Sequence, residues 1–509
     1  MNAAVVIPAI KDFYFTYHRF ACLGAVILKK ILESHYINVS YYIFPLSVKK
    51  SKVITLPDEL LYLKPFIIPG ETGPLSFFTK YKYFGPEPGD CAERILRNSP
   101  DIIFLSCFSF CYADETILLA EKIKESSDTT IIAGGAGVCA WPEYFIKEKS
   151  INFCITGEAE ISVPLFLKKL FLRKMKRRHN FKEIPNLYFK ENNNIIVPEA
   201  FKSSTADDLI FVLAKTHETK KIIFYSTYLS RGCPKKCSFC TNHLSHGRLF
   251  RTIPLHIIEQ ELIKAKTQNS GKQVYINFED DNILFCPGYF IKVLKLFKKY
   301  FKEPLFLLEN GIDYTRLNNN LLKTLISLGL NKLNISLAST SEYILQKENR
   351  TLNLSKYEKI LKTAKENNVP VTSYFICGFK HDTKESIAES LAYLYKLPTE
   401  LGISMFYAVP GLKGFTDKTL FKSPCLCAGS SAYPWNNSLS TKTMVTAFRL
   451  SRFINELKRN TSISVPLLQK ILKDKVLYTL IKDQKKKKTV PVENIDSELV
   501  KLFFTRMTT

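Results

Sequence analysis

The sequence predicts an α/β protein in three parts: a doubly wound parallel sheet, a partial barrel of six strand–helix repeats, and a helical C-terminal region. Three observations predict it. Short apolar runs alternate with amphipathic stretches of about ten residues, the pattern of a parallel sheet covered on both faces. Glycines stand at the ends of two of those runs, at Gly134-Gly135 and Gly157, where such a sheet binds its ligands. A second strand–helix series starts near Ile222 and repeats six times, fewer than the eight repeats over about 250 residues of a full barrel.

Residues 1–200 form the first part, Rossmann-like. Strands are expected at Ala4–Ile7, Val39–Phe44, Asp101–Leu105, Thr130–Ala133 and Asn152–Ile155, with helices at Leu23–Glu33, Asp114–Lys124, Trp141–Lys149 and Ile161–Leu172. An irregular, aromatic-rich stretch runs through Phe77–Phe84. Pro185–Tyr188 and Ile195–Val197 read as a hairpin around Asn192-Asn193-Asn194, and the polar stretch Lys202–Asp208 as a linker. Residues 220–412 form the partial, TIM-like barrel, with strands at Ile222–Tyr225, Val274–Phe278, Leu305–Leu308, Leu333–Leu337, Val371–Ile376 and Ile403–Ala408. Its helices are expected at Leu255–Lys266, Phe290–Tyr300, Asn320–Leu328, Tyr357–Asn367 and Lys384–Tyr395. Residues 413–509 lack strand periodicity, and Thr441–Arg459 and Val465–Ile481 read as helices.

The composition, 46% hydrophobic and 23% charged over 509 residues, excludes a disordered or fibrous chain. No apolar run approaches the 18–20 or so residues of a membrane span, and no signal peptide is legible at the start. A cytoplasmic protein is expected. The net charge of +25 invites a nucleic-acid reading. However, the excess is mostly lysine, and the densest runs, Lys174–Arg178 and Lys485–Lys488, have no interleaved aromatics to stack bases. The charge therefore does not point to nucleic acid, and a small-molecule substrate is expected.

Of the 13 cysteines, ten are scattered in apolar surroundings such as Ile151–Ile155 and read as small buried hydrophobes. The other three, Cys233, Cys237 and Cys240, lie in Arg231-Gly232-Cys233-Pro234-Lys235-Lys236-Cys237-Ser238-Phe239-Cys240. The spacing C-x3-C-x2-C is expected by chance roughly 0.01 times in a chain of this composition. Three thiolates on one loop suit three irons of a cubane and leave the fourth open for chemistry. With His243 as a fourth donor, the same loop would suit structural zinc.

This triad, with Phe239 just before its last cysteine, resembles the signature of the radical S-adenosylmethionine (SAM) superfamily. The resemblance covers residues 220–412 and implies a 4Fe-4S cluster on Cys233, Cys237 and Cys240. It also implies SAM chelated to the open iron and an external electron donor such as flavodoxin or ferredoxin. By the same resemblance, the acidic run Glu279-Asp280-Asp281 meets the amino group of SAM, and Arg350 meets its carboxylate. Ala338 stands where relatives carry a glutamate, so that contact is expected to be lost or supplied by Ser336 or Ser339. Gly378, Pro410 and Gly411 fall where relatives flank the adenine.

Residues 1–170 resemble the cobalamin-binding domain fused to many of these enzymes, through Pro100-Asp101-Ile102, Gly134-Gly135 and Gly157-Glu158-Ala159-Glu160. The resemblance implies cobalamin contacts at Gly134, Gly135, Gly157 and Glu158, with the glycine turns admitting the nucleotide tail. The D-x-H-x-x-G motif of histidine-ligated cobalamin is missing. Asp12 and His18 are six positions apart, with Gly24 beyond, so a protein histidine on cobalt is not expected. Together these features imply radical chemistry on an unactivated carbon, with methyl transfer from cobalamin. Two alternatives remain: a tRNA methylthiotransferase, which needs three further cluster cysteines, and a non-catalytic iron–sulfur or zinc protein.

Overall fold

The computed structural model describes residues 1–509 except 18–19, 176–179, 268–270, 460–464, 484–485 and 509. His18 and parts of the two basic runs lie outside the described residues. Five parallel strands, β1 (Asn2–Ile7), β2 (Asn38–Ile43), β3 (Ile102–Ser106), β4 (Thr130–Gly134) and β5 (Phe153–Ile155), build the first sheet. An antiparallel hairpin, β6 (Leu187–Glu191) and β7 (Asn194–Ile196), extends it, giving the order β7-β6-β5-β4-β3-β1-β2. Both faces are buried. Ala3, Val5 and Ile7 join a core with Ile27, Leu28 and Ile31 of helix Leu23–Ser34. Ala4 and Val6 join a second core, with Leu119, Ala120 and Ile123 of helix Ala113–Lys124. Successive side chains of a strand point to opposite faces, so a strand covered twice reads as one continuous apolar run.

The aromatic-rich stretch is not wholly irregular: Lys82–Phe84 pairs antiparallel with both Ile10–Asp12 and Lys52–Val53. The expected helix at Trp141–Lys149 is instead two short helices, Ala136–Ala140 and Pro142–Ile146, broken at Trp141 ahead of the proline.

The second series begins one strand earlier than the sequence indicates. β8 (Ala214–Glu218) pairs antiparallel with β9 (Ile222–Thr227), which continues in parallel to β10 (Gln273–Phe278) and β11 (Leu305–Leu307). A second parallel group holds β12 (Leu333–Ala338), β13 (Val371–Cys377) and β14 (Glu400–Met405). Isolated parallel bridges, Phe306–Leu330 and Ile312–Ile335, join the two groups. The helices between these strands fall where expected, each burying an apolar stripe; Phe290, Val293, Leu294 and Phe297 are the buried face of Pro287–Tyr300.

The C-terminal region is helical with one departure. Helix Val465–Asp474 stops short of Ile481, and Tyr478–Asp483 and Lys486–Pro491 form an antiparallel hairpin. The alternation in Tyr478–Asp483 is too short and too lysine-flanked to read as a strand alone. It is placed by tertiary contacts: Glu71 bridges Ile481, and Thr72 donates to the Leu480 carbonyl. Beneath it Arg449, 1% exposed, donates to both oxygens of Glu71 at 2.5 and 3.1 Å, and the Thr479 hydroxyl donates to Glu71 at 2.7 Å. This buried pair joins helix Thr441–Arg459 to the N-terminal domain. Asp12 makes a second tie, accepting from Tyr112 at 2.7 Å and Ser430 at 2.9 Å.

Removing one partner of a buried pair strands the other charge. Glu71→Ala is therefore expected to cost about 3–5 kcal/mol in urea unfolding, and Glu71→Leu with Arg449→Met to recover most of it. Additive losses in the double variant would contradict this account.

Candidate functional site

The cysteine loop is closed at its base by a two-residue antiparallel ladder, Ser230–Arg231 with Arg251–Thr252. Within it Cys237 is buried, and Cys233 and Cys240 are half-buried. Gly232 opens the loop at φ +82°, and a Cβ there would lie 2.0 Å from the Leu249 carbonyl oxygen, so only glycine fits. Three neighbouring segments hold the loop, and Arg248 ties it internally. The Gly232 N–H donates to Asp281 at 2.8 Å, and Ser238 binds Glu348 through its backbone N–H at 3.2 Å and through its hydroxyl. Lys235 pairs with Asp313, and Arg248 donates to the Lys235 carbonyl at 2.6 Å. All three cysteines face one cavity of about 360 Å³. Burial pushes the Cys240 thiol up to about 11, so a thiolate there needs a cation beside it; a bound metal supplies that by deprotonating its ligand outright.

Phe239, Asp280, Asp281, Ser336 and Arg350 line the same cavity, as the sequence leads one to expect. Arg350 is fixed by donating to the Ser336 carbonyl, with its guanidinium 6.0 Å from the Phe239 ring, which packs on Phe379. The acidic run is used differently from the expectation. Asp280 Oδ1 accepts from the Leu229 N–H at 3.1 Å and from the N–H and hydroxyl of Ser230 at 2.6 Å each. Asp281 accepts from Gly232, from Asn242 at 3.0 Å and from His246 at 2.9 Å. These carboxylates therefore first hold the cysteine loop. Burial pushes Asp281 up, but His246, the Gly232 N–H and Arg231 outweigh it and keep the carboxyl below its usual range. Burial lifts Asp280 to about 7, and its second oxygen, like Asn282 Oδ1, is buried without a hydrogen-bond partner. Glu279 faces away, into a second cavity.

Besides Glu279, four expected SAM contacts do not line the cysteine cavity. The buried Ser339 hydroxyl instead accepts from the Ser341 N–H at 3.2 Å, ahead of the helix Glu342–Lys347. Gly378 sits at φ +107° with its N–H on Asp382 at 2.8 Å. The Pro410-Gly411 turn buttresses Leu244, whose Cδ1 would be 3.2 Å from a Cβ on Gly411.

The second cavity, also about 360 Å³, lies between the carboxyl ends of the first sheet and the cysteine loop. Its floor is apolar (Ile27, Leu28, Phe104, Ile132, Val163), and Gly134, Gly135, Gly157 and Glu158 all line it. Two of these glycines have a nearer reason than ligand approach. A Cβ on Gly135 would lie 2.6 Å from the Cys107 carbonyl oxygen, and one on Gly157 2.7 Å from the Phe201 ring. Gly24, at the start of helix Leu23–Ser34, also lines the cavity, and a Cβ there meets nothing within 4 Å.

Glu158 already has partners on both carboxylate oxygens. Arg251 donates to them at 2.7 and 2.9 Å, the Ser204 N–H donates at 2.7 Å, and Arg231 stands 3.6 Å away. Arg231 also donates to Glu160 at 2.8 Å. Burial pushes Glu158 up, and the two guanidiniums outweigh it, holding the carboxyl below its usual range. Sequence reasoning missed Arg251. The signal was present, because this chain has only 15 arginines and two of them bracket the cysteine loop.

Residues 227–394, which carry the cysteine loop, match the model of the Radical SAM superfamily. Among curated proteins, the bacteriochlorophyllide d C-12(1)-methyltransferase of Chlorobaculum tepidum is 25% identical over 225 residues, 42% of this chain and 46% of that enzyme. The chain thus spans about half the length of that relative. Among solved structures, the radical SAM methyltransferase TsrM from Kitasatospora setae, with cobalamin and a [4Fe-4S] cluster bound, aligns at TM-score 0.58 and 11% identity. That alignment covers 84% of this chain and 81% of TsrM. The cobalamin-dependent SAM radical enzyme OxsB, with aqua-cobalamin bound, aligns at 0.54 and 14%, covering 84% of this chain and 56% of OxsB. At these identities the shared feature is the fold, over 84% of this chain in both cases. Among the described residues, no helix is long and apolar enough to cross a membrane.

Asp280 gives a pH test on the cofactor-free chain. Its carboxyl titrates near 7 when folded and near 3.9 when unfolded, so the native state holds a proton that the unfolded chain has released. Its contribution to stability is full below about pH 4 and is lost as pH rises through about 7. Urea midpoints of the wild type should therefore fall relative to Asp280→Asn between about pH 5 and about pH 8. Parallel profiles would show that Asp280 is ionised throughout.

Proposed function

We propose that this protein is a cobalamin-dependent radical SAM enzyme that transfers a methyl group to an unactivated carbon of a small molecule. The observation that carries the reading is the juxtaposition of the two cavities. One is walled by three cysteine thiols, the other by the carboxyl ends of a parallel sheet, and Asn242 and Asp281 line both. Two cofactors held there would face a common partition.

Both sites fit their groups chemically. In the first, Cys233, Cys237 and Cys240 supply three sulfur donors, which suits a cubane with one open iron. Arg350, held by Ser336, is placed to take the carboxylate of SAM in a charge-assisted bond. The unpartnered oxygens of Asp280 and Asn282 are acceptors for its ammonium. Phe239, 6.0 Å from the Arg350 guanidinium and tilted against Phe379, gives the cavity an apolar wall. In the second, the apolar floor and the open space at Gly24 suit the nucleotide tail of cobalamin. The bound groups supply an electron that cleaves SAM and a carrier for the methyl group. The reading requires an external reductant such as flavodoxin or ferredoxin, and a cytoplasmic location agrees with that requirement.

Substituting Ala at Cys233, Cys237 or Cys240 is expected to abolish iron and sulfide retention after anaerobic reconstitution, and with it 5′-deoxyadenosine formation under dithionite. A triple variant with a full iron load would overturn the assignment. Gly24→Leu is expected to fill the second cavity without backbone strain and to weaken cobalamin binding by about tenfold or more, about 1.4 kcal/mol. Its melting temperature and iron content should not change. Undiminished cobalamin binding would place the corrin elsewhere.

A further inference from the structure

The quartet Glu158, Glu160, Arg231 and Arg251 has a position that simple domain adhesion does not require. Arg231 and Arg251 are the two ends of the cysteine loop, paired across its base ladder. Both reach the same turn, Gly157–Glu160, which follows β5 and borders the second cavity. Arg251 further donates to the carbonyls of Ser204, in the interdomain linker, at 2.5 Å, and of His246, within the cysteine loop, at 2.6 Å. The His246 side chain in turn holds Asp281, which holds Gly232 next to Cys233. Arg231 lies over the Tyr228 ring at 4.4 Å. All four charged residues are buried, with Glu158 2% exposed.

Four charges buried this way gain little stability over a well-packed apolar contact, because desolvation offsets much of the attraction. They do gain direction. A guanidinium held on both oxygens of one carboxylate has a fixed plane and a fixed distance, which an apolar contact lacks. The linkage is short and continuous, running from the glycine turn through Glu158 and Arg251 to His246, Asp281, Gly232 and Cys233.

We infer that Glu158, Glu160, Arg231 and Arg251 are positioning residues, and that their ion pairs set the placement of the cysteine loop against the glycine turn of the second cavity. They thereby fix the separation between the two cofactors. The inference rests on the functional reading above. Outer-shell partners of this kind typically tune a cofactor site by about 10–100-fold when removed.

The test uses the full chain loaded with cluster and cobalamin, comparing wild type with Glu158→Gln and with the milder Arg251→Lys. Glu71→Gln serves as the control: it weakens an equally buried interdomain pair that does not touch the cysteine loop. All three variants should melt earlier than wild type. Only Glu158→Gln and Arg251→Lys should weaken cobalamin binding, by about tenfold, and change the magnetic relaxation of cob(II)alamin by the reduced cluster, with iron content unchanged. If Glu158→Gln does not fold, Arg251→Lys alone carries the comparison. If both site variants match Glu71→Gln in cobalamin affinity and spin relaxation, the quartet is adhesion only and the inference is overturned. If the wild-type chain itself retains no cobalamin, the functional reading fails, and the inference fails with it.

Discussion

The buried exchange of charge between Glu158 and Glu160 on one side and Arg231 and Arg251 on the other is the constraint on which the site depends. It joins a turn of the N-terminal sheet to both ends of the only loop that carries three closely spaced cysteines. The loop carries its own short helix, Asn242–His246, and its cysteine-bearing part is also held from outside. Here the holding groups come from every side: Asp281 and Asp280 from the end of β10, Glu348 from below, Asp313 through Lys235, and the N-terminal domain through the arginines.

Carboxylates do most of this holding. That accounts for a local inversion of the chain's character: a protein of net charge +25 places a dense acidic set around its cysteine loop. Most of these carboxylates take backbone N–H groups or a cation, which offsets their mutual repulsion at short range. Asp280 has no cation beside it; one of its oxygens is unpartnered and its carboxyl is lifted to about 7. A buried polar atom without a partner is costly. One pointing toward a cavity bounded by a guanidinium and three thiols is chemically suited to a charged ligand.

The glycines separate two roles that sequence alone runs together. Gly135 and Gly157 are demanded by the protein's own packing, against Cys107 and Phe201. Gly24 leaves space that no described residue fills. A glycine in a ligand-binding turn can thus serve the fold or the ligand, and only the position of the next atom distinguishes them.

Much was determined by sequence alone. Apolar runs buried on both faces placed the parallel strands, because a twice-covered strand leaves no polar side to disguise it. The cysteine spacing located the loop, and the family resemblance it carries pointed to Asp280, Asp281 and Arg350, which line the same cavity. What sequence could not determine was which partner each group takes. Glu158 looked available for a ligand but meets Arg251, 93 positions away; Ser339 and Gly378 turn to local tasks, and Pro410-Gly411 packs on the distant Leu244. The hairpin Tyr478–Asp483 with Lys486–Pro491 exists because Glu71 and Thr72 approach it from the other end of the chain. Local propensity and periodicity are written residue by residue, whereas hydrogen-bond partners at long range are set only when the chain closes on itself and buried groups must all be satisfied together.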